Sequence, residues 1–245
     1  MNSSALVIST HQLTKKYKEF TALQSLDLTV ERGEIFGFLG HNGAGKTTTV
    51  SILTTLLIPT SGTATVCGFD IVKESIEVKK TIGYLPENVK FYDNLTAYEN
   101  LEYLAKLSGI RHPREKIIET LEFLEFTGIE NKKLGEFSKG MRQRIGIAQA
   151  ILHDPKVLFL DEPATGLDPM GIKKLRETII KLHKEKGMTI FMNTHLLSEV
   201  AKTCTTIGVL NHGKLIYKDS LENTLKRFHD EASLEEIYFS MEEKN

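Results

Sequence analysis

No run of apolar residues in this chain approaches the roughly 20 needed to cross a bilayer, so the sequence predicts no membrane-spanning helix. Cysteine is scarce. Cys67 and Cys204 stand far apart with no C-x-x-C pair, which argues against a disulfide and reads as buried, reduced thiols in a cytosolic protein. An excess of either charge is missing too. Lys and Arg total 31 against 32 Asp and Glu, a formal net charge of -1, so no global field favours nucleic acid or anionic lipid. The opening Met1-Asn2-Ser3-Ser4 lacks the charged and apolar regions of a signal peptide. There is no internal repeat and no low-complexity linker. What remains is a 245-residue chain of ordinary globular composition, enough for one large α/β domain or two small ones.

Leu26 to Val30 alternates apolar and polar, as a half-buried strand does, and Glu31 to Glu34 reads as a turn. Ile35 to Leu39 reads as the next strand and feeds a Gly-rich loop. A helix is expected from Thr47 up to Pro59. Thr96 and Glu99 fit a capping box at a helix start, with Leu101, Leu104 and Leu107 as its expected buried side. Ile117, Leu121 and Leu124 form a second helical stripe, stopped by Gly128. Val157 to Leu160 is a continuous apolar run, expected of a parallel strand covered on both faces. Ile172, Leu175, Ile179 and Leu182 mark a helix ending near Gly187, and Thr189 to Met192 another core strand. Asn211-His212-Gly213 between apolar runs suggests a late hairpin, and the stretch from Asp219 looks helical and charged.

Gly40-His41-Asn42-Gly43-Ala44-Gly45-Lys46-Thr47, followed by Thr48, is a complete phosphate-binding loop in strand–loop–helix context. Glycines let backbone N–H groups approach phosphate oxygens, and the helix start adds its positive dipole end. Lys46 supplies a full charge to the β- and γ-phosphates, and Thr47 a hydroxyl to Mg²⁺. Asp161 ends an apolar strand, where a carboxylate reaches the metal. Glu162 at the strand tip can polarise an attacking water as general base or orienting group. The plain alternative, a surface turn before Pro163, leaves both carboxylates without a role.

With Phe137-Ser138-Lys139-Gly140-Met141-Arg142-Gln143-Arg144 placed shortly before Val157 to Pro163, the sequence resembles the nucleotide-binding subunit of an ATP-binding-cassette (ABC) transporter over about residues 5–220. The resemblance implies an α/β fold: a P-loop NTPase core with a mixed sheet, an N-terminal antiparallel β subdomain and an inserted α-helical subdomain. It also implies one ABC ATPase domain over 1–245. Residues 1–87 and 154–220 would form the core with its β subdomain, 88–153 the helical subdomain and 221–245 a C-terminal helical tail.

In that family two domains pack head to tail, and each ATP lies between the phosphate loop of one and the signature segment of the other. Ser138, Lys139, Gly140 and Met141 occupy the signature position here, although Ser138 equally reads as a plain helix N-cap. His195 matches the family's switch histidine, which would contact the γ-phosphate. Asp168 matches the segment linking the two ATP sites, and Tyr17 the aromatic that stacks on adenine, with Phe20 close by. Glu87 stands where the family usually has glutamine; it can still ligand Mg²⁺ but cannot donate a hydrogen bond. His41 replaces the usual loop proline, and Lys139 and Met141 replace Gly and Gln of the signature.

Glu87 together with Ser-Lys-Gly-Met resembles the exporter branch with separate membrane subunits, which serves drugs, sodium and polysaccharides. The expected function is an ATPase powering export, cytoplasmic and peripheral on the inner face of the cell membrane. Its expected partners are a separate integral membrane permease and a second copy of itself or a homologous ATPase subunit. The groove near Glu87 to Glu99 would grip that permease, with Tyr92 and Leu95 either in contact or structural. No nucleic acid is expected. A soluble ABC ATPase acting on ribosomes or DNA is the rival reading, but the chain carries one cassette and neither coiled coil nor zinc insertion. A non-catalytic module holding ATP structurally is the second rival, opposed by Lys46, Asp161, Glu162 and His195 all being present.

Overall fold

The computed structural model describes residues 6–227 and 236–239. Two long strands, β1 (Leu6–Tyr17) and β2 (Phe20–Glu31), pair antiparallel. β3 (Ile35–Leu39) runs through the Gly-rich loop into α1 (Lys46–Leu53). β4 (Ser61–Val66), β5 (Phe69–Asp70), α2 (Ser75–Thr81) and β6 (Ile82–Leu85) follow. Three helices, α3 (Ala97–Leu107), α4 (Arg114–Phe123) and α5 (Lys139–Ile151), precede β7 (Val157–Asp161). Then come α6 (Pro169–Lys186), β8 (Thr189–Asn193), α7 (Leu197–Thr203), β9 (Thr206–Asn211), β10 (Lys214–Ser220) and α8 (Leu221–Arg227).

The strands form two sheets. One is antiparallel with order β2-β1-β4-β5; the other has order β10-β9-β3-β8-β7-β6. In the second, β9, β3, β8, β7 and β6 run parallel and β10 turns back against β9. Its central strands are buried at every position, and alternation splits their side chains between two cores. Phe36, Phe38, Phe159 and Phe191 face the antiparallel sheet and α1, with neighbouring ring centroids 5.2 to 6.2 Å apart. Ile35, Leu39, Leu158, Leu160, Ile190 and Met192 face the other way, into the core shared with α3 to α6. Both faces are covered, which is why these strands read as unbroken apolar runs.

The capping box at Thr96 and Glu99 is present on α3. The expected buried side of that helix is not. Leu101 is buried but Leu107 is exposed, and the buried positions are Ala97, Asn100, Leu101 and Ala105. Two successive steps of three residues rotate a side chain by about 600°, a third of a turn off the starting face, so a Leu-x-x-Leu-x-x-Leu stripe cannot stay inside. α1 ends at Leu53, well before Pro59, because Thr55 adopts a positive φ of 62°. α4 likewise ends at Phe123, with Glu125 at φ 59°, so Gly128 lies beyond the helix it was expected to stop. α6 does end at Gly187, at φ 61°. The late hairpin turns on His212 and Gly213, both with positive φ, as a two-residue turn between twisted strands requires. Asp219 and Ser220 complete β10 rather than begin a helix. Cys204 is buried and Cys67 only partly; both are free thiols. Of the expected C-terminal tail, 228–235 and 240–245 lie outside the described residues; Ile237 and Tyr238 are buried in the helix-side core.

The C-terminal end of α4 is held by cations from two other helices. Buried Arg144 of α5 donates to Leu124 O and stacks its guanidinium 4.2 Å from the Phe126 ring centroid. Lys181 of α6 donates to Phe123 O at 2.7 Å. These are the carbonyls a helix end leaves without partners. Arg144→Ala should lower the unfolding free energy by about 3 kcal/mol, by leaving Leu124 O buried and unbonded and removing the stacking. Urea denaturation checks this, and a loss within about 0.5 kcal/mol would show the contact to be dispensable.

Candidate functional site

Parallel pairing puts the C-terminal ends of β3, β8, β7 and β6 side by side along one edge of the sheet. Such an edge is where α/β folds bind ligands. The residues that follow these strands line one cleft of about 500 Å³, including Asn42, Gly43, Gly45, Lys46, Thr47, Thr48, Glu87, Glu162, Thr165 and His195. Tyr17 and Phe20, on either side of the β1–β2 turn, wall its outer end together with Ala22, and both aromatic rings are exposed. The geometry thus brings both aromatic candidates to the cleft and does not single out Tyr17.

The loop curls over the cleft floor. Ala44 N–H donates to His41 O at 3.1 Å, closing the turn. Gly45 has φ 109°, and a Cβ there would lie 2.5 Å from Ala22 O, so only glycine fits. Lys46 is 6% exposed, and its ammonium donates to Gly40 O at 2.7 Å and His41 O at 3.2 Å, 3.9 Å from Glu162 Oε1. It is therefore held at the loop's centre by the loop's own carbonyls and one carboxylate.

The acidic end of the cleft is more constrained. Asp161 is buried; Oδ1 accepts from Asn193 Nδ2 and, at 3.4 Å, from Thr47 Oγ1. Its carboxyl is held above the usual carboxylate range, chiefly by burial, with the negative charges of Glu162 and Glu87 adding and the Asn193 and Thr47 hydrogen bonds opposing. Glu162 has a left-handed φ of 46°, a conformation costing about 1–3 kcal/mol for a non-glycine residue. Its N–H is fixed to Asn193 O at 2.9 Å. Glu162 Oε2 lies 2.8 Å from His195 Nδ1 and 3.5 Å from Thr165 Oγ1. One carboxylate, mostly shielded from water, thus faces a lysine on one side and an imidazole on the other.

A carboxyl whose folded-state pKa exceeds its unfolded value binds its proton more tightly in the native protein. Ionising it costs stability, and the cost grows as pH rises from the unfolded carboxylate range through the folded pKa and persists above it. Asp161→Asn should therefore raise the melting temperature of the protein measured without nucleotide at neutral pH, with the gain shrinking toward acid pH. A lower melting temperature at pH 7 would contradict this electrostatic reading.

Ser138, Lys139, Gly140, Met141 and Asp168 do not line the cleft. Ser138 caps α5, its Oγ accepting from Met141 N–H at 3.3 Å. Asp168 caps α6, accepting from Gly171 N–H at 2.8 Å. The two caps are neighbours: a Cβ on Gly166 would lie 2.5 Å from the Lys139 ammonium. Sequence reading missed two residues beside Asp161. Asn193 donates to it, and Tyr84 is pushed up to about 12, by burial first and then by the negative charge of Asp161. No motif marks Tyr84; its position opposite Phe159, two residues before Asp161, is visible only in the β6–β7 register. Among the described residues no helix is long and apolar enough to cross a membrane.

The family model for ABC transporters matches residues 23–165. The bacitracin transport ATP-binding protein BcrA of Bacillus licheniformis is 44% identical over 221 residues, 90% of this chain and 72% of that protein. The ABC transporter ATP-binding protein NatA of Bacillus subtilis (strain 168) is 42% identical, with 85% of each chain covered. The linearmycin resistance ATP-binding protein LnrL of the same organism is 36% identical over 86% of this chain and 68% of its own length. Among solved structures, an ATP-binding subunit of an ABC transporter superposes with TM-score 0.83 at 28% identity, covering 96% of this chain and 99% of that one. A dimeric post-hydrolysis state of the ATP-binding cassette MJ0796, bound to ADP and Pi, superposes with TM-score 0.77 at 26% identity over 87% and 98%.

Proposed function

The chain belongs to the ABC transporter family, as its ATP-binding ATPase subunit, and on that premise we propose that it powers a membrane exporter whose membrane path is a separate chain. The observation that carries the mechanism is the convergence of Lys46, Thr47, Glu87, Asp161, Glu162 and His195 on one cleft or its floor, from four parallel strand ends. The triphosphate lies along the backbone N–H groups of Gly43 to Thr48, at the positive end of α1, with Lys46 against its outer phosphates. Adenine rests against Tyr17 or Phe20.

The acidic end suits a hard divalent cation: its donors are all oxygen, and burial with two neighbouring carboxylates already disfavours the charge on Asp161. Among the described residues no cluster of three acidic, His or Cys side chains stands ready to cage a metal alone, which suits Mg²⁺, since it takes few protein ligands and completes its shell with phosphate and water. Thr47, Asp161 and Glu87 would hold it, and when bound it neutralises charge on the phosphates. Glu162 orients and deprotonates the attacking water, and His195 holds Glu162 and meets the γ-phosphate.

Ser138 to Met141 and Asp168 sit outside their own cleft, so they serve the ATP of a second, head-to-tail copy or homologous subunit. ATP then closes the pair because each γ-phosphate gains ligands from both chains, and hydrolysis removes that difference in contact. Relatives named for bacitracin transport and linearmycin resistance favour export over action on ribosomes or DNA. The protein works on the cytoplasmic face of the membrane, with the groove along Glu87 to Glu99 gripping the permease; exposed Tyr92, packed edge-on to Tyr103, offers an apolar contact there. Tagged Glu162→Gln drawn from solubilised membranes with ATP should bring a multi-span membrane protein with it. Recovery of ribosomal proteins or nucleic acid instead would replace the transport reading.

A further inference from the structure

The first turn of α5 carries Ser138 to Met141, and it is tied sideways to the segment that leads from the cleft to α3. Arg142 N–H donates to Ser138 O at 2.9 Å and closes that turn. One nitrogen of the Arg142 guanidinium, Nη1, donates to Asp93 Oδ1 at 2.6 Å and to Leu134 O at 2.9 Å. Leu134 O also accepts from Phe137 N–H at 3.1 Å, in the short 3₁₀ turn Leu134–Glu136 that delivers the chain to Ser138. Backbone hydrogen bonds make the same connection. Gly135 N–H donates to Asp93 O and Leu134 N–H to Leu95 O, both at 3.0 Å, and Thr96 bridges Lys133 antiparallel. A Cβ on Gly135 would lie 3.2 Å from Asp93 O, so the two backbones run close together. On the other side, fully buried Asn100 of α3 accepts from Tyr92 N–H at 2.9 Å and donates to Tyr92 O at 3.1 Å and Thr96 O at 2.9 Å. Residues 92–96 are thus held to α3 by Asn100 and to the start of α5 by Arg142.

A segment that completes a site on another chain binds best when its geometry is set before contact. If only a fraction of chains holds that geometry, the apparent affinity falls by the same fraction. The Asp93 carboxylate is exposed and outside the cleft, so its bond to Arg142 does not touch the chain's own nucleotide. We infer that Arg142 is a positioning residue, which through Asp93 holds the first turn of α5 in the geometry that closes on the ATP of a second chain. The inference rests on the reading above that Ser138 to Met141 complete a partner's site. It also makes Asp93 a joint between two surfaces. Exposed Tyr92 beside it belongs to the groove assigned to the permease, so a displacement of that groove reaches the signature segment through this ion pair.

The test is the dissociation constant of the ATP-bound dimer, read by light scattering over a concentration series in saturating ATP and Mg²⁺. The parent is Glu162→Gln, compared with the same protein carrying Asp93→Ala, Arg142→Ala or both. Asp93→Ala is the decisive variant, because it removes an exposed carboxylate and leaves the bond from Arg142 to Leu134 O in place. It should weaken the dimer about tenfold, or about threefold from each of the two signature turns, within the range of partly exposed ion pairs. Arg142→Ala should weaken it at least as much, and the double variant no more than Arg142→Ala, since the two residues act as one pair. The affinity of the separate chain for a fluorescent ATP analogue, measured well below the dimer's dissociation constant, should be unchanged throughout. A dimer as tight with Asp93→Ala as in the parent, or losses that simply add in the double variant, would overturn the role of the pair. So would a matching loss of analogue affinity, which marks a general weakening of the fold. A parent that forms no dimer with ATP would remove the reading of the signature segment and the inference with it.

Discussion

Glu162→Gln should keep ATP binding and lose steady-state ATPase activity by at least about a hundredfold, the lower range of what a positioned general base contributes. The amide keeps the size of the side chain and can still meet Lys46 and His195, which lie 3.9 and 2.8 Å from the two carboxylate oxygens. It cannot take a proton. The strained backbone at φ 46° is carried by the Glu162 N–H to Asn193 O bond, which the substitution leaves alone. Binding and fold should therefore survive while turnover stops, and ATP should accumulate a closed dimer visible by size-exclusion chromatography with light scattering. Unchanged steady-state turnover would remove Glu162 from the chemistry and leave His195 to explain it alone.

Two inactive variants should restore one another. Lys46→Ala removes the buried ammonium at the loop's centre, and Ser138→Arg fills the space before the α5 N-terminus; each alone should lose ATPase activity by about a hundredfold or more. In a mixture, the intact loop of the Ser138→Arg chain meets the intact signature of the Lys46→Ala chain, so one complete site forms per mixed dimer. Activity well above either variant alone is expected. The expectation follows from placement: Ser138 to Met141 do not line the cleft that contains Lys46. A mixture no more active than its separate components, with no ATP occluded by the mixed dimer, would mean the signature segment does not complete a partner's site.

Residues adjacent along the chain carry most of what was legible beforehand. The phosphate loop, the apolar strand before Asp161, the Thr96–Glu99 cap and the stop at Gly187 all depend on spacings within a few residues, where periodicity and steric preference act. Element ends were less legible. The extent of α1 and the buried face of α3 depended on positive-φ residues and on neighbours brought from elsewhere, as exposed Leu107 shows.

By itself, then, the order of residues determined that a triphosphate loop and an acidic pair share one α/β core, because each is a local pattern with its own chemistry, whereas the switch reading of His195 came only with the family resemblance. Only the tertiary structure decided who meets whom. The parallel order β3-β8-β7-β6 carries Lys46, His195, Glu162 and Glu87 to one edge, and leaves Ser138 and Asp168 as helix caps outside the cleft. It also sets Tyr84 and Asn193 on either side of Asp161, although 77 residues separate Tyr84 from that carboxylate and 32 separate Asn193. Strand pairing is a contact between distant segments, chosen by the burial of two whole faces at once, so no single stretch of sequence contains it.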